Sequence, residues 1–228
     1  PPPCQNSSAA SDVYKRQGIV HRLDKDTSGV MVATKDDCTH QYLARQFKAH
    51  TVQRRYRALV HGLVAEATGT IDQPIGRHPV HRKKMSMQAR SHRRAVTRWQ
   101  VLRRYDADRL TLVDLSLETG RTHQIRVHMA GINCPVVGDP LYGGVSRIKA
   151  FADQVLRQMV AGLERQFLHA WQLGFENPNG QTMLFQADLP PELYQNLRYV
   201  EGQNSYSLTD IKDISRAGPI EPLSDENS

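Results

Sequence analysis

The chain has 228 residues, 39% hydrophobic and 23% charged, with a formal net charge of +7. That is long and apolar enough for one sizeable domain and excludes wholesale disorder. No apolar run approaches the ~18 residues of a membrane span, and no secretory signal opens the chain. The three cysteines, Cys4, Cys38 and Cys134, lack metal-ligand spacing. These features suit the cytosol, and the basic balance agrees with a polyanionic partner.

Taken in chain order, residues 1–17 show no hydrophobic period and read as a leader outside any domain. Residues 30–33, an apolar run, are expected to form a buried strand. Residues 36–49 carry Tyr42, Leu43, Gln46 and Phe47 at helical spacing behind Asp36 and Asp37, and predict a helix. Residues 53–62 are strand-like around Tyr56, Leu59 and Val60. Residues 95–105 and 109–117 read as two antiparallel strands joined by a turn at 106–108, with Val113 out of step in the second. Residues 122–130 predict a helix with Thr122 as N-cap and Gly131 just past its end. A second amphipathic helix spans 151–163, and strands 167–175 and 181–189 flank an Asn-Pro-Asn-Gly turn. Pro190 and Pro191 open a last short helix. Residues 201–228, with six acids against Lys212 and Arg216, read as an acidic disordered tail. The sum is an α+β domain over residues 18–200, with flanking helices on a mixed, largely antiparallel sheet.

One segment stands out chemically. His21, Arg22, Leu23 and Asp24, followed by Thr27, Ser28 and Gly29, form a charged cluster between apolar runs. A carboxylate placed there must be satisfied. On residue types alone, a turn capped by Asp24 or Asp26 is the simpler reading. The cluster, however, resembles the signature of the RluA-type pseudouridine synthases. Further matches follow in order: Arg55, Tyr56 and Arg57 with Ala58, Leu59 and Val60; then residues 118–129 and 138–143; then Leu168, His169 and Ala170. Residues 76–79 and 95–97 are most similar to the RluD branch, which modifies large-subunit ribosomal RNA. Family catalytic domains begin further towards the N-terminus, so residues 18–200 are expected to be a catalytic domain incomplete on that side.

The resemblance implies isomerisation of uridine to pseudouridine in RNA with no cofactor. The C1′–N1 bond breaks, the uracil turns and C1′ rejoins at C5. Asp24 is then the catalytic carboxylate, either attacking C1′ or removing the C2′ proton. Arg126 is its expected partner, a bidentate guanidinium holding it ionised. The alternative for Arg126 is an exposed helix face. Tyr56 would stack on the uracil and take part in proton transfer, against the alternative of a core aromatic. Leu168 would pack under the base, or simply be core, and Arg22 would fill the gap left by a flipped base. His123 would support the Asp24–Arg126 site or contact phosphate.

Residues 73–105 contain ten basic side chains and no acid, which leaves 20 basic against 23 acidic residues elsewhere. Such one-signed density favours RNA phosphate, with Arg82, Lys83 and Lys84 at its centre, over a merely solvated face. The pairs His123 with His128 and His78 with His81 lack the neighbours of a metal site. The expected partner is therefore RNA, ribosomal RNA first, for a cytoplasmic monomer without metal, nucleotide cofactor or membrane. The rival class is a non-catalytic RNA-binding or ribosome-assembly protein on the same scaffold. A metal-dependent nuclease would need clustered carboxylates, which the sequence lacks.

Overall fold

A computed structural model describes residues 18–204. The expected leader and residues 205–228 of the expected tail lie outside the described residues. The elements in order are β1 (Ser28–Gly29), α1 (Asp37–Ala49), β2 (Gln53–His61), β3 (Thr68–Asp72), β4 (Ile75–Arg77), β5 (Met85–Ser86) and β6 (His92–Arg93). They continue with β7 (Val96–Tyr105), β8 (Leu110–Leu117), α2 (Gln124–Gly131), α3 (Gln154–Ala161), β9 (Leu168–Glu176), β10 (Thr182–Gln186) and α4 (Pro191–Gln203). The fold is α+β, as expected.

Seven strands form one sheet in the order β1-β9-β2-β8-β7-β3, with β10 also paired to β9. Only β1 runs parallel to its neighbour. Strand β8 lies between β2 and β7, and Leu110, Leu112, Val113 and Leu115 are all fully buried. Both of its faces are therefore covered, which is why Val113 breaks the two-residue alternation without penalty. Charge is buried in this sheet as well. Arg55 Nε donates to Asp114 at 3.1 Å, Trp171 Nε1 donates to the other carboxylate oxygen at 3.0 Å, and Arg57 lies 4.2 Å from the Trp171 ring centroid. These contacts tie β2, β8 and β9 together at their centre.

Helix starts follow from local side-chain chemistry. Asp36 caps α1 by accepting from Thr39 N at 2.7 Å, and Asp153 caps α3 by accepting from Val155 N and Leu156 N. Pro191 occupies the first turn of α4. Helices α3 and α4 pack with Leu156, Val160, Leu193, Leu197 and Val200 in the main core.

Three expectations are corrected. Residues 30–33 are not a buried strand: Met31 is about half exposed, and Ala33 makes only a single bridge to Ile19. The run serves instead to anchor a loop, with Val30 N donating to Ala170 O and Val32 N to His21 Nε2. Glu201 does not belong to a solvated tail. It lies in the last turn of α4, fully buried, and accepts from Tyr105 Oη at 2.6 Å. Thr122 does not cap α2. The N-cap is His123, with φ 57°, and Gln124 Oε1 satisfies Arg121 N and Thr119 Oγ1.

Candidate active site

The site is built where β1, β2, β9 and α2 meet. The β2–β9 register shifts between Arg55 and Arg57, so Tyr56 sits at a bulge. Bulges of this kind re-aim side chains beside functional sites. On the other edge of β9 the Ala170 carbonyl accepts from Val30 N at 2.8 Å, as part of the parallel pairing with β1. Gly29, at φ +121°, presses so close that a Cβ would lie 2.1 Å from that carbonyl oxygen. The loop carrying Asp24 is thus docked on β9 by backbone that only glycine permits.

Side chains hold the same loop from below. Gln166 Nε2 donates to Lys25 O and Thr27 Oγ1, while Ser28 Oγ lies 2.9 Å from His169 Nδ1 and accepts from Arg165. Thr27 N closes a turn onto Asp24 O at 3.0 Å. His21, stacked on Phe47 with centroids 4.7 Å apart, accepts from Val32 N. Burial, helped by Arg54, lowers its pKa to about 4 and keeps it neutral as that acceptor.

A cavity of about 460 Å³ opens above this loop. Asp24, Arg22, Tyr56 and Leu168 line it, together with Ile125 and Leu117. Tyr56 is 8% exposed, and its hydroxyl pKa is pushed up to about 12, chiefly by burial. It therefore stays protonated across the neutral range and can donate a proton or a hydrogen bond. Tyr56 and Leu168 also belong to the hydrophobic core, the alternative raised for both, while still lining the cavity.

Arg126 is 3% exposed, which overturns the exposed-face alternative. It does meet Asp24, with Nη1 3.4 Å from Oδ2. The bidentate partner, however, is Asp139: Arg126 Nε and Nη2 donate to its two carboxylate oxygens at 2.7 and 2.9 Å. Asp139 is fully buried and also accepts from Leu141 N and Tyr142 N. Burial opposes the charge of Arg126, but Asp139 and then Asp24 outweigh it and the net shift is upward. The arrangement is a chain of three charges, with Arg126 fixed from behind by Asp139 and offering its remaining edge to Asp24.

The Tyr142 ring centroid lies 5.2 Å from the Arg126 guanidinium carbon. Tyr142 Oη is 2.8 Å from His123 Nδ1 and accepts from Met85 N at 2.8 Å. His123, at the start of α2, is thus linked to Arg126 through Tyr142. Burial lowers its pKa, with Asp24 pulling the other way. The residue reasoning missed here is Asp139. Its place between Gly138 and Pro140 in the stretch 138–143 was the available signal.

The structure does not bring Arg82, Lys83 and Lys84 into the cavity. They sit on the loop between β4 and β5, shaped by His78 Nδ1 accepting from Val80 N and His81 N. That loop is coupled to the site through Met85 and Tyr142. The basic stretch is also less unpaired than its sequence suggests. Arg94 reaches Glu118 and Asp72, Arg98 reaches Glu118, Arg103 reaches Glu201, and Arg104 donates to the Val64 and Ala65 carbonyls. Among the described residues, no group of three or more His, Cys, Asp or Glu side chains is placed to hold a metal ion, and no helix is long and apolar enough to cross a membrane. His128 is buried, 2.9 Å from both Thr97 Oγ1 and Gln73 O.

Comparison with known proteins agrees with this geometry. Residues 4–131 match the family described as RNA pseudouridylate synthase. The chain is 48% identical over 179 residues to the ribosomal large subunit pseudouridine synthase D of Nitrosomonas europaea, covering 78% of this chain and 49% of that protein. It is 44% identical over 199 residues to an uncharacterised RNA pseudouridine synthase, YlyB, of Bacillus subtilis, covering 86% and 60%. The chain thus spans about half to three fifths of the length of these relatives. Among solved structures, human RNA pseudouridylate synthase domain containing 1 superposes with a TM-score of 0.64 at 26% identity, covering 90% of this chain and 82% of that one.

Proposed function

The chain belongs to the RNA pseudouridylate synthase family, and on that premise we propose that it isomerises uridine to pseudouridine in RNA, with Asp24 as the carboxylate acting at the sugar. The observation that carries this reading is the placement of Asp24 in a cavity faced by protonated Tyr56 and apolar Leu168, with Arg126 anchored behind it. A flipped uridine has somewhere to put its ring, against Tyr56, Ile125 and Leu168, while its ribose meets the carboxylate. Arg126 keeps Asp24 charged and oriented. With Asp24 the only carboxylate among the described residues at the cavity wall, the site suits one attack or one proton removal at the sugar rather than paired acid and base.

Large-subunit ribosomal RNA is the substrate this reading favours, in the cytoplasm, because relatives at 48% identity carry that substrate in their names. The test is incubation with a large-subunit ribosomal RNA transcript, followed by carbodiimide modification and primer extension. The expected result is one or a few discrete pseudouridine stops. RNA binding without any pseudouridine would favour the assembly-protein alternative.

The loop bearing Arg82, Lys83 and Lys84 supplies a phosphate-contact surface outside the cavity. Changing all three to Ala should flatten the salt dependence of RNA binding by about 2 in log–log slope, at about 0.7–0.9 per phosphate contact. An unchanged slope removes this loop from the RNA interface.

A further inference from the structure

The cavity has a cationic side that no part of the mechanism above uses. Lys48 and His50 from the end of α1, Arg54 of β2 and Arg121 before α2 all line it, and Asp24 is the one acid among the lining residues. Arg54 is 9% exposed. Its Nη2 donates to the backbone carbonyls of Leu117 and Glu118 at 3.1 and 3.0 Å, and its Nε is buried with no partner. Arg121 donates through Nε to the Arg94 carbonyl at 2.9 Å. Neither arginine forms a salt bridge among the described residues, and Glu118 turns its carboxylate to Arg94 and Arg98 instead. Burial lowers the pKa of Arg54; Tyr56 opposes this, and the nearby charge of Arg121 adds to the lowering.

The Arg54 guanidinium also lies 5.9 Å from the Phe47 ring centroid, but the hydrogen bonds of both neighbouring guanidinium groups go only to carbonyls, and with one of them almost buried the pair is costly unless an anion joins it. The backbone makes room for the arrangement. A Cβ on Gly120 would lie 2.6 Å from Arg54 Nη1, so the absence of a side chain there lets the guanidinium reach its position. Planar, multi-donor cations suit a phosphate oxygen pair better than a point charge would.

We propose that Arg54 and Arg121 form a phosphodiester subsite that grips the RNA backbone beside the nucleotide whose sugar meets Asp24. The proposal deepens the synthase reading and rests on it for the identity of the occupant. It fits one nucleotide across the cavity, with the base on the Tyr56 and Leu168 side and the sugar at Asp24. The attached phosphate then lies on the arginines.

The test measures binding of the full chain to a single-stranded uridine decamer between 50 and 200 mM salt. Arg121→Gln, at a half-buried position, should weaken binding several-fold at low salt and reduce the magnitude of the log–log slope by about 0.7, one single-strand phosphate contact. Arg54→Gln should do the same if it folds. Gly120→Ala, which keeps every charge but displaces the flexible end of Arg54, should also lower the slope. Asp24→Asn should leave it unchanged. Unaltered slopes in folded Arg121→Gln and Gly120→Ala overturn the subsite, as does failure of the wild type to bind the decamer. The pseudouridine assay separates the two readings. A slope loss with no pseudouridine from the wild type leaves the subsite standing and removes the synthase. Pseudouridine formation with unchanged slopes does the reverse.

Discussion

Asp24→Asn should eliminate pseudouridine formation, with kcat falling by more than about 10³-fold, while the protein remains folded and binds RNA as before. Asparagine keeps the size of the side chain and an oxygen for Arg126 Nη1, so the change removes charge and basicity without removing volume. It does not orphan the guanidinium, because Asp139 still takes Nε and Nη2 at 2.7 and 2.9 Å. Nor does the docking of the loop depend on the carboxylate. Gly29 against Ala170, Gln166 on Lys25 O and Thr27, and Ser28 on His169 all persist. Stability should therefore stay within about 1 kcal/mol of the wild type. The measurements are primer-extension mapping on ribosomal RNA, a melting curve and an RNA binding isotherm. Product formation equal to the wild type would remove Asp24 from the chemistry. Lost activity accompanied by lost folding would show that the loop needs the carboxylate for structure.

What could be read from the sequence follows how local the physics is. The antiparallel pair β7–β8, the acidic start of α1 and the entry of α4 at Pro191 are set by neighbours in the chain and could be anticipated, whereas the Asp153 cap that starts α3 inside the expected span 151–163 was not. Asp24, Tyr56 and Arg126 are marked by motif resemblance; Asp24 and Tyr56 line one cavity, and Arg126 meets Asp24 from behind it. What stayed hidden depends on long-range packing. Glu201 has the composition of a tail residue and is buried where Tyr105 and Arg103 meet it across the fold. Residues 30–33 have strand-like composition, yet the pairing with β9 ends at the bond from Val30 N, and beyond it Ala33 makes only a single bridge to Ile19. Contiguous charge in the sequence points to the basic run at 73–105. Apart from Arg22, the cavity's own cations, Lys48, Arg54 and Arg121, come from three separate segments and carry no contiguous signal. The bidentate partner of Arg126 was misassigned for a similar reason. Between a glycine and a proline, Asp139 reads as turn punctuation.

That carboxylate is where the second large effect is expected. Asp139→Asn should lower stability by about 3–5 kcal/mol, the cost of breaking a buried ion pair from one side. For a domain of this size that is about 6–20 °C in melting temperature. The side chain serves four donors at once: two from Arg126 and the backbone N–H groups of Leu141 and Tyr142. An amide can accept through only one oxygen, and its NH2 would point at a guanidinium edge that also donates. Arg126 would then turn towards Asp24, now its sole carboxylate, and the Tyr142 ring packed 5.2 Å from it would lose its register with His123. Activity measured well below the melting transition should accordingly fall by about 10²-fold in kcat, with RNA affinity changed less than about threefold, because the phosphate contacts lie elsewhere. The split between kcat and affinity separates a positioning role from simple loss of fold, which would reduce both together. Asp139→Glu, which restores the charge on a longer arm, should recover more stability than activity. A melting temperature within about 2 °C of the wild type in Asp139→Asn, with kcat preserved, would show that Asp24 alone suffices to hold Arg126.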